Sequence, residues 1–88
     1  MANHNWIERD DIIVLYITKY GYKNISYSKS DIAKMIDISE GSLSYRIGNF
    51  KAIQGIGNAT NYAKLSKIIF DKYDKLSEAK LKNLAFNN

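Results

Sequence analysis

Residues 28–50 read SKSDIAKMIDISEGSLSYRIGNF, and they decide the fold. Ser28-Lys29-Ser30-Asp31 carries an N-cap signature, a hydroxyl followed three residues later by an acid. Behind it Ile32, Ala33 and Ile36 recur at helical spacing and predict a short helix over 29–36 with one buried stripe. Asp37-Ile38-Ser39 reads as a tight turn whose Ser39 caps a second helix, from Glu40 to about Ile53. On that second helix Leu43, Ile47 and Phe50 fall at i, i+4 and i+7, within a narrow arc that must face a core.

Working outward, Asn5-Trp6-Ile7-Glu8 reads as a capping box opening a helix over about 6–20. Acids through Asp11 suit its N-terminus. Ile12, Ile13, Tyr16, Ile17 and Tyr20 mark one apolar face, and Gly21 supplies the stop. Residues 22–27 form a connector without a clear period. On the other side, the stretch from Gln54 to Asn58 holds Gly55 and Gly57 and reads as a stop and reversal. It is no dinucleotide fingerprint, since no strand precedes it and no third glycine follows. A further helix is expected from near Thr60, with Tyr62, Leu65, Ile69 and Tyr73 inward. A last one is capped by Ser77 and carries Leu81 and Leu84 before the polar end Asn87-Asn88. With no proline and no alternating strand pattern, the expected class is all-α, a small bundle of four to five helices containing a helix-turn-helix at 28–50 in a single domain over 1–88.

Composition narrows the function. The absence of cysteine removes disulfides, thiolate zinc sites and cysteine nucleophiles, and fits a reducing cytoplasm. The apolar run from Ile12 to Ile17 is too short to span a bilayer, and the N-terminus lacks a signal-peptide layout. The sole histidine, His4, is expected in a frayed N-terminus without convergent ligands, so no metal or other cofactor is expected. No Ser/His/Asp set or carboxylate pair stands out, and the expectation is a non-enzyme. Thirteen Lys or Arg stand against nine Asp or Glu, a net charge of +4. From Gly41 to Phe70 there is no acid, while Arg46, Lys51, Lys64 and Lys67 are present, a footprint suited to phosphate.

Opposite the Leu43/Ile47/Phe50 stripe, at about 100° per residue, lie Gly41, Tyr45, Gly48 and Ala52, with Ser44 beside them. A solvated helix face normally carries long polar side chains, and two glycines cost helix stability, so this smooth face asks for a reason. Close approach to a DNA major groove is one, with Tyr45 projecting as the large reader. Ser42, Arg46 and Asn49 flank one side and Lys51 the other. Arg46 is suited to fork onto a guanine or clamp a phosphate, and Asn49 to hydrogen-bond a base or the backbone. The expected DNA-binding set is therefore Gly41, Ser42, Ser44, Tyr45, Arg46, Gly48, Asn49, Lys51 and Lys64. Other readings stand beside it: glycines for helix–helix packing, Tyr45 packed on a neighbouring helix, Arg46 paired with Asp37 or Glu40, and Asn49 bracing a loop. Tyr16, Tyr20 and Tyr73 read as core.

The segment resembles bacterial and phage helix-turn-helix regulators, whose core commonly reads like "IA…LGVS…TVS..L". Ile32-Ala33, Ile36-Asp37-Ile38-Ser39, Ser42-Leu43-Ser44 and Ile47 carry the likeness; Asp37 departs from the usual glycine. More narrowly, the chain resembles a small all-α domain at the N-terminus of many HNH-type restriction endonucleases, through Ser39, Gly41 to Ser44, Arg46, Ile47, Asn49 and Phe50. Gly57-Asn58-Ala59, the run from Lys67 to Tyr73, and Tyr20-Gly21-Tyr22 extend it. Nothing here supplies that family's nuclease residues, so the resemblance implies the DNA-binding part alone, a regulator of phage or mobile-element type. A homodimer on double-stranded DNA is the expected assembly; the alternative is a small interaction module or inhibitor that sets the same helix face against a host protein.

Overall fold

A computed structural model describes residues 4–57 and 60–87. Among these the chain is all-α, with five helices and no strand: α1 Glu8–Tyr20, α2 Lys29–Ile36, α3 Glu40–Ile53, α4 Lys64–Tyr73 and α5 Glu78–Phe86. None is long and apolar enough to cross a membrane. The likeness at Asn58-Ala59 and the end at Asn88 lie outside the described residues.

The hub is α1. Seven consecutive residues from Asp11 to Ile17 are buried, so this helix is covered on all sides rather than along one face as the spacing predicts. It packs against α3, α4 and α5, while α2 rests on α3. A continuous apolar run such as Ile12 to Ile17 is the mark of such a central element, because every direction around the helix must be apolar. The core closes with Ile32 and Ile36 from α2, Leu43 and Phe50 from α3, Ile69 from α4, and Leu81 and Ala85 from α5.

Local signals set most helix ends. Ser28, Ser39 and Ser77 each accept a backbone N–H from three residues on, and Asp31 returns the favour to the Ser28 N–H at 2.9 Å. That hydrogen bond holds the Asp31 carboxyl below its ordinary pKa. Gly21 ends α1 at φ 72°, a conformation glycine takes without strain.

Two starts differ from the sequence reading. For α1, the N-cap is Ile7 instead of Asn5, and Asp10, not Glu8, accepts the Ile7 N–H at 3.3 Å. Asp10 is also held by His4, whose Nε2 lies 2.7 Å from Oδ2 while its ring sits edge-on to Trp6. His4 is thus seated on the fold rather than frayed. For α4, the helix opens at Lys64 instead of Thr60, because the Ala63 N–H is donated to the Asn49 side chain and Ala63 stays extended. Tyr62 therefore lies outside α4 and is exposed. Ser66, buried beside Ile69, takes an inward place. On α5 the inward pair is Leu81 and Ala85, and Leu84 is 40% exposed.

The far end of α1 is tied to α5. Tyr16 is fully buried, its ring set edge-on to Phe86, and its hydroxyl donates to Glu78 Oε2 at 2.8 Å. Burial first, then the Glu78 carboxylate, pushes the Tyr16 pKa up to about 12. An acid whose pKa is raised by folding stabilises the fold below its unfolded value, near 10, and loses that contribution as pH rises towards 12. The melting temperature is expected to fall between pH 9.5 and 11.5 more steeply for the wild type than for Tyr16→Phe. Equal slopes would show that the phenol is not coupled to folding.

Candidate nucleic-acid interface

The candidate interface lies on α3, and α2 packs beside it. Ile32, Ala33 and Ile36, the buried stripe of α2, join the core, and α2 contacts α3. Between the helices, Asp37 adopts the left-handed conformation (φ 70°, ψ 49°), and its N–H and that of Ile38 close back on Lys34 and Ala33 carbonyls. An aspartate thus takes the geometry usually left to glycine, which short polar side chains tolerate. Ser39 Oγ then accepts the Ser42 N–H at 3.0 Å and starts α3. Leu43 and Phe50 are fully buried and Ile47 is partly so, which orients the helix as its apolar arc demands.

The opposite face is open. Tyr45 is 79% exposed, so it does not pack on a neighbouring helix. Gly41, Ser42 and Ser44 beside it are exposed as well. A Cβ placed on Gly48 meets nothing within 4 Å, and one on Gly41 meets only Ser39 Oγ at 3.8 Å. Among the described residues, neither glycine is needed for helix packing. Gly48→Ala is accordingly expected to raise unfolding free energy by about 0.5–1 kcal/mol, the helix-propensity difference, read from a denaturant midpoint. A destabilised Gly48→Ala variant would mean that the site is occupied.

Arg46 and Asn49 are placed differently from the rest of the expected set. Both are buried. Arg46 Nε and Nη2 donate to the two carboxylate oxygens of Asp11 at 2.8 and 2.6 Å, and the guanidinium lies 4.1 Å from the centre of the Trp6 ring. Ser66 Oγ donates to the same carboxylate over 3.4 Å. The guanidinium is thus engaged by Asp11 from α1, not by Asp37 or Glu40 and not by the outer surface. The physical reason lies in the wheel: Arg46 is only roughly 60° from Leu43, so its stem enters the core and its charge must find a buried partner. Asn49 donates to the Tyr45 carbonyl at 3.0 Å and accepts the Ala63 N–H, bracing the segment that leads into α4. Asp11, Trp6 and Ser66 were not among the expected functional residues. The available signal for Asp11 is an acid abutting a run of six apolar residues.

Electrostatics survive the loss of Arg46. Among the described residues Lys51 and Lys64, both exposed, form no ion pair. Lys67 does pair, with Asp71 at 2.7 Å, and that contact raises its pKa. Lys29 reaches across from α2, its Nζ donating to Ser44 Oγ, and adds a cation to the edge of the smooth face. Two depressions flank Tyr45. One, of about 320 Å³, lies against Trp6, Gly41 and Ser42; the other, of about 280 Å³, lies against Asn49, Asn61, Tyr62 and Ala63. Arg46 lines both. Among the described residues no group of three or more His, Cys, Asp or Glu side chains is placed to hold a metal ion. Set against protein-family models, curated proteins and solved structures, the chain matches none.

Proposed function

We propose that the chain binds double-stranded DNA in a sequence-specific manner, with α3 as the recognition helix, and acts as a small transcriptional regulator of phage or mobile-element type. Gly41, Ser42, Ser44 and Gly48 form the close-contact surface, Tyr45 reads the groove, and Lys51 and Lys64 meet phosphates. Arg46 and Asn49 serve this surface from behind: one fixes α3 on α1, the other joins the Tyr45 backbone to the start of α4.

Gly48 is the chief support. It is a helix-interior glycine with open space where its side chain would be, next to an exposed tyrosine, so its cost has no return among the described residues. A surface that must lie flush on another molecule supplies the return. The likeness to helix-turn-helix regulators and to the N-terminal domains of HNH-type restriction endonucleases supports the same reading. One recognition helix offers little specificity, which favours a homodimer on paired half-sites.

Selection of bound sequences from random duplex DNA tests the reading. A motif should emerge, and its affinity should fall steeply with salt. Lys51→Ala and Lys64→Ala should each weaken all duplexes alike and reduce the salt slope by about 1. No enrichment, and no duplex binding at low salt, would overturn it. A protein partner on the same face is the second reading, favoured by the exposed Tyr45, Tyr62 and Ile56 side chains, which suit an apolar anchor. It predicts capture of a partner by a protein that binds no duplex.

A further inference from the structure

The depression between Tyr45 and Tyr62 has features that the duplex reading leaves unused. Its two aromatic walls come from different elements, Tyr45 from α3 and Tyr62 from the segment before α4. One buried side chain spaces them: Asn49 is bonded to the Tyr45 carbonyl on one side and to the Ala63 N–H, next to Tyr62, on the other. Both rings are exposed, and neither stacks on another described aromatic ring. The lining also includes the Asn61 amide, exposed to solvent, and Arg46, whose charge is already matched by Asp11. The cleft is therefore aromatic and polar but close to neutral. At about 280 Å³ it lies just below the usual range of ligand sites, about 300–1,000 Å³, and suits a ligand no larger than a single ring system.

Such a cleft fits a flat, neutral, hydrogen-bonding ring better than a phosphate or an aliphatic side chain. Lys64, which follows Ala63 directly in the chain, is exposed and brings a cation to the same segment. We propose that the Tyr45–Tyr62 cleft takes a single unpaired nucleobase, so that the protein prefers DNA carrying an extrahelical base over the same duplex fully paired. The proposal rests on the DNA-binding reading and names what one pocket of that surface recognises. The base stacks between or against the tyrosines, and the Asn61 amide hydrogen-bonds its edge. A base already outside the stack is preferred because drawing a paired one out costs unpairing and unstacking energy.

The test compares two duplexes of the selected sequence, one fully paired and one with a single bulged 2-aminopurine, by anisotropy and by 2-aminopurine emission. The bulged duplex should bind roughly 5- to 150-fold more tightly, the range for stacking one base on an aromatic side chain. Its emission should change on binding. Tyr62→Ala should abolish both effects while leaving paired-duplex affinity and the circular dichroism spectrum unchanged, and Tyr62→Phe should keep them. Equal affinity for the two duplexes, or a preference that survives Tyr62→Ala, would overturn the base site and leave duplex binding standing. Failure to bind either duplex would overturn both.

Discussion

Asp11→Ala is expected to destabilise the protein by about 3–5 kcal/mol, the usual cost of stranding one half of a buried ion pair. Asp11 is fully buried at the hub helix, and both its oxygens are engaged by Arg46 from α3. Removing the carboxylate leaves a guanidinium under Trp6 without its counter-charge and cuts a link between α1 and α3. Against a total of about 5–15 kcal/mol for a small domain, that loss brings the protein near unfolding at room temperature. The double variant Asp11→Leu with Arg46→Met should recover most of it, because an apolar pair of similar volume avoids the desolvation of two charges. Urea midpoints for the wild type, the single and the double variants decide the matter. A single-variant loss below about 1 kcal/mol would place the pair with solvent-screened surface bridges.

The second large effect is on binding and leaves the fold alone. Gly48→Glu puts a carboxylate in the middle of the smooth face, at a position where a Cβ meets nothing. Glutamate is the better helix former, so stability should hold or rise. Duplex affinity, in contrast, should drop at least about a hundred-fold, since placing like charges together costs several kcal/mol and each 1.4 kcal/mol is tenfold. Arg46→Ala does not separate the two effects in this way: it strands Asp11 in the core, so weaker DNA binding by that variant reports on folding as much as on contact. Unaltered affinity of a folded Gly48→Glu protein would remove α3 from the interface.

What is legible in the sequence is what depends on near neighbours. The serine caps, the Gly21 stop and the bounds of α2 and α3 each follow from a hydrogen bond or a dihedral angle within a few residues. The start of α4 is different, because it is set by Asn49, fourteen positions earlier along the chain. Arg46 shows the same limit more sharply. Its place on the wheel already points it inward, beside Leu43 and Phe50, but an arginine in an acid-free stretch also reads as a surface charge. Only the packing of α1 against α3, which brings Asp11 across 35 positions, decides between them. Gly48 illustrates the reverse case. The sequence admits packing or external contact, and the empty space at its Cβ removes packing against the described residues. Tyr45 stands where its spacing puts it, while Tyr62 changes from a core residue to a wall of the cleft because α4 opens late.

Backbone amide chemical shifts, followed as the selected duplex is titrated into labelled protein, test most directly whether the exposed face of α3 is the DNA-binding surface. The largest shifts should fall at Gly41, Ser42, Ser44, Tyr45 and Gly48, with smaller ones at Lys51 and Lys64. Amides of α1 and on the outer side of α5 should stay near their free positions. Shifts centred on α5 or on the connector over residues 22–27, with the Gly41–Gly48 amides unmoved, would contradict the account.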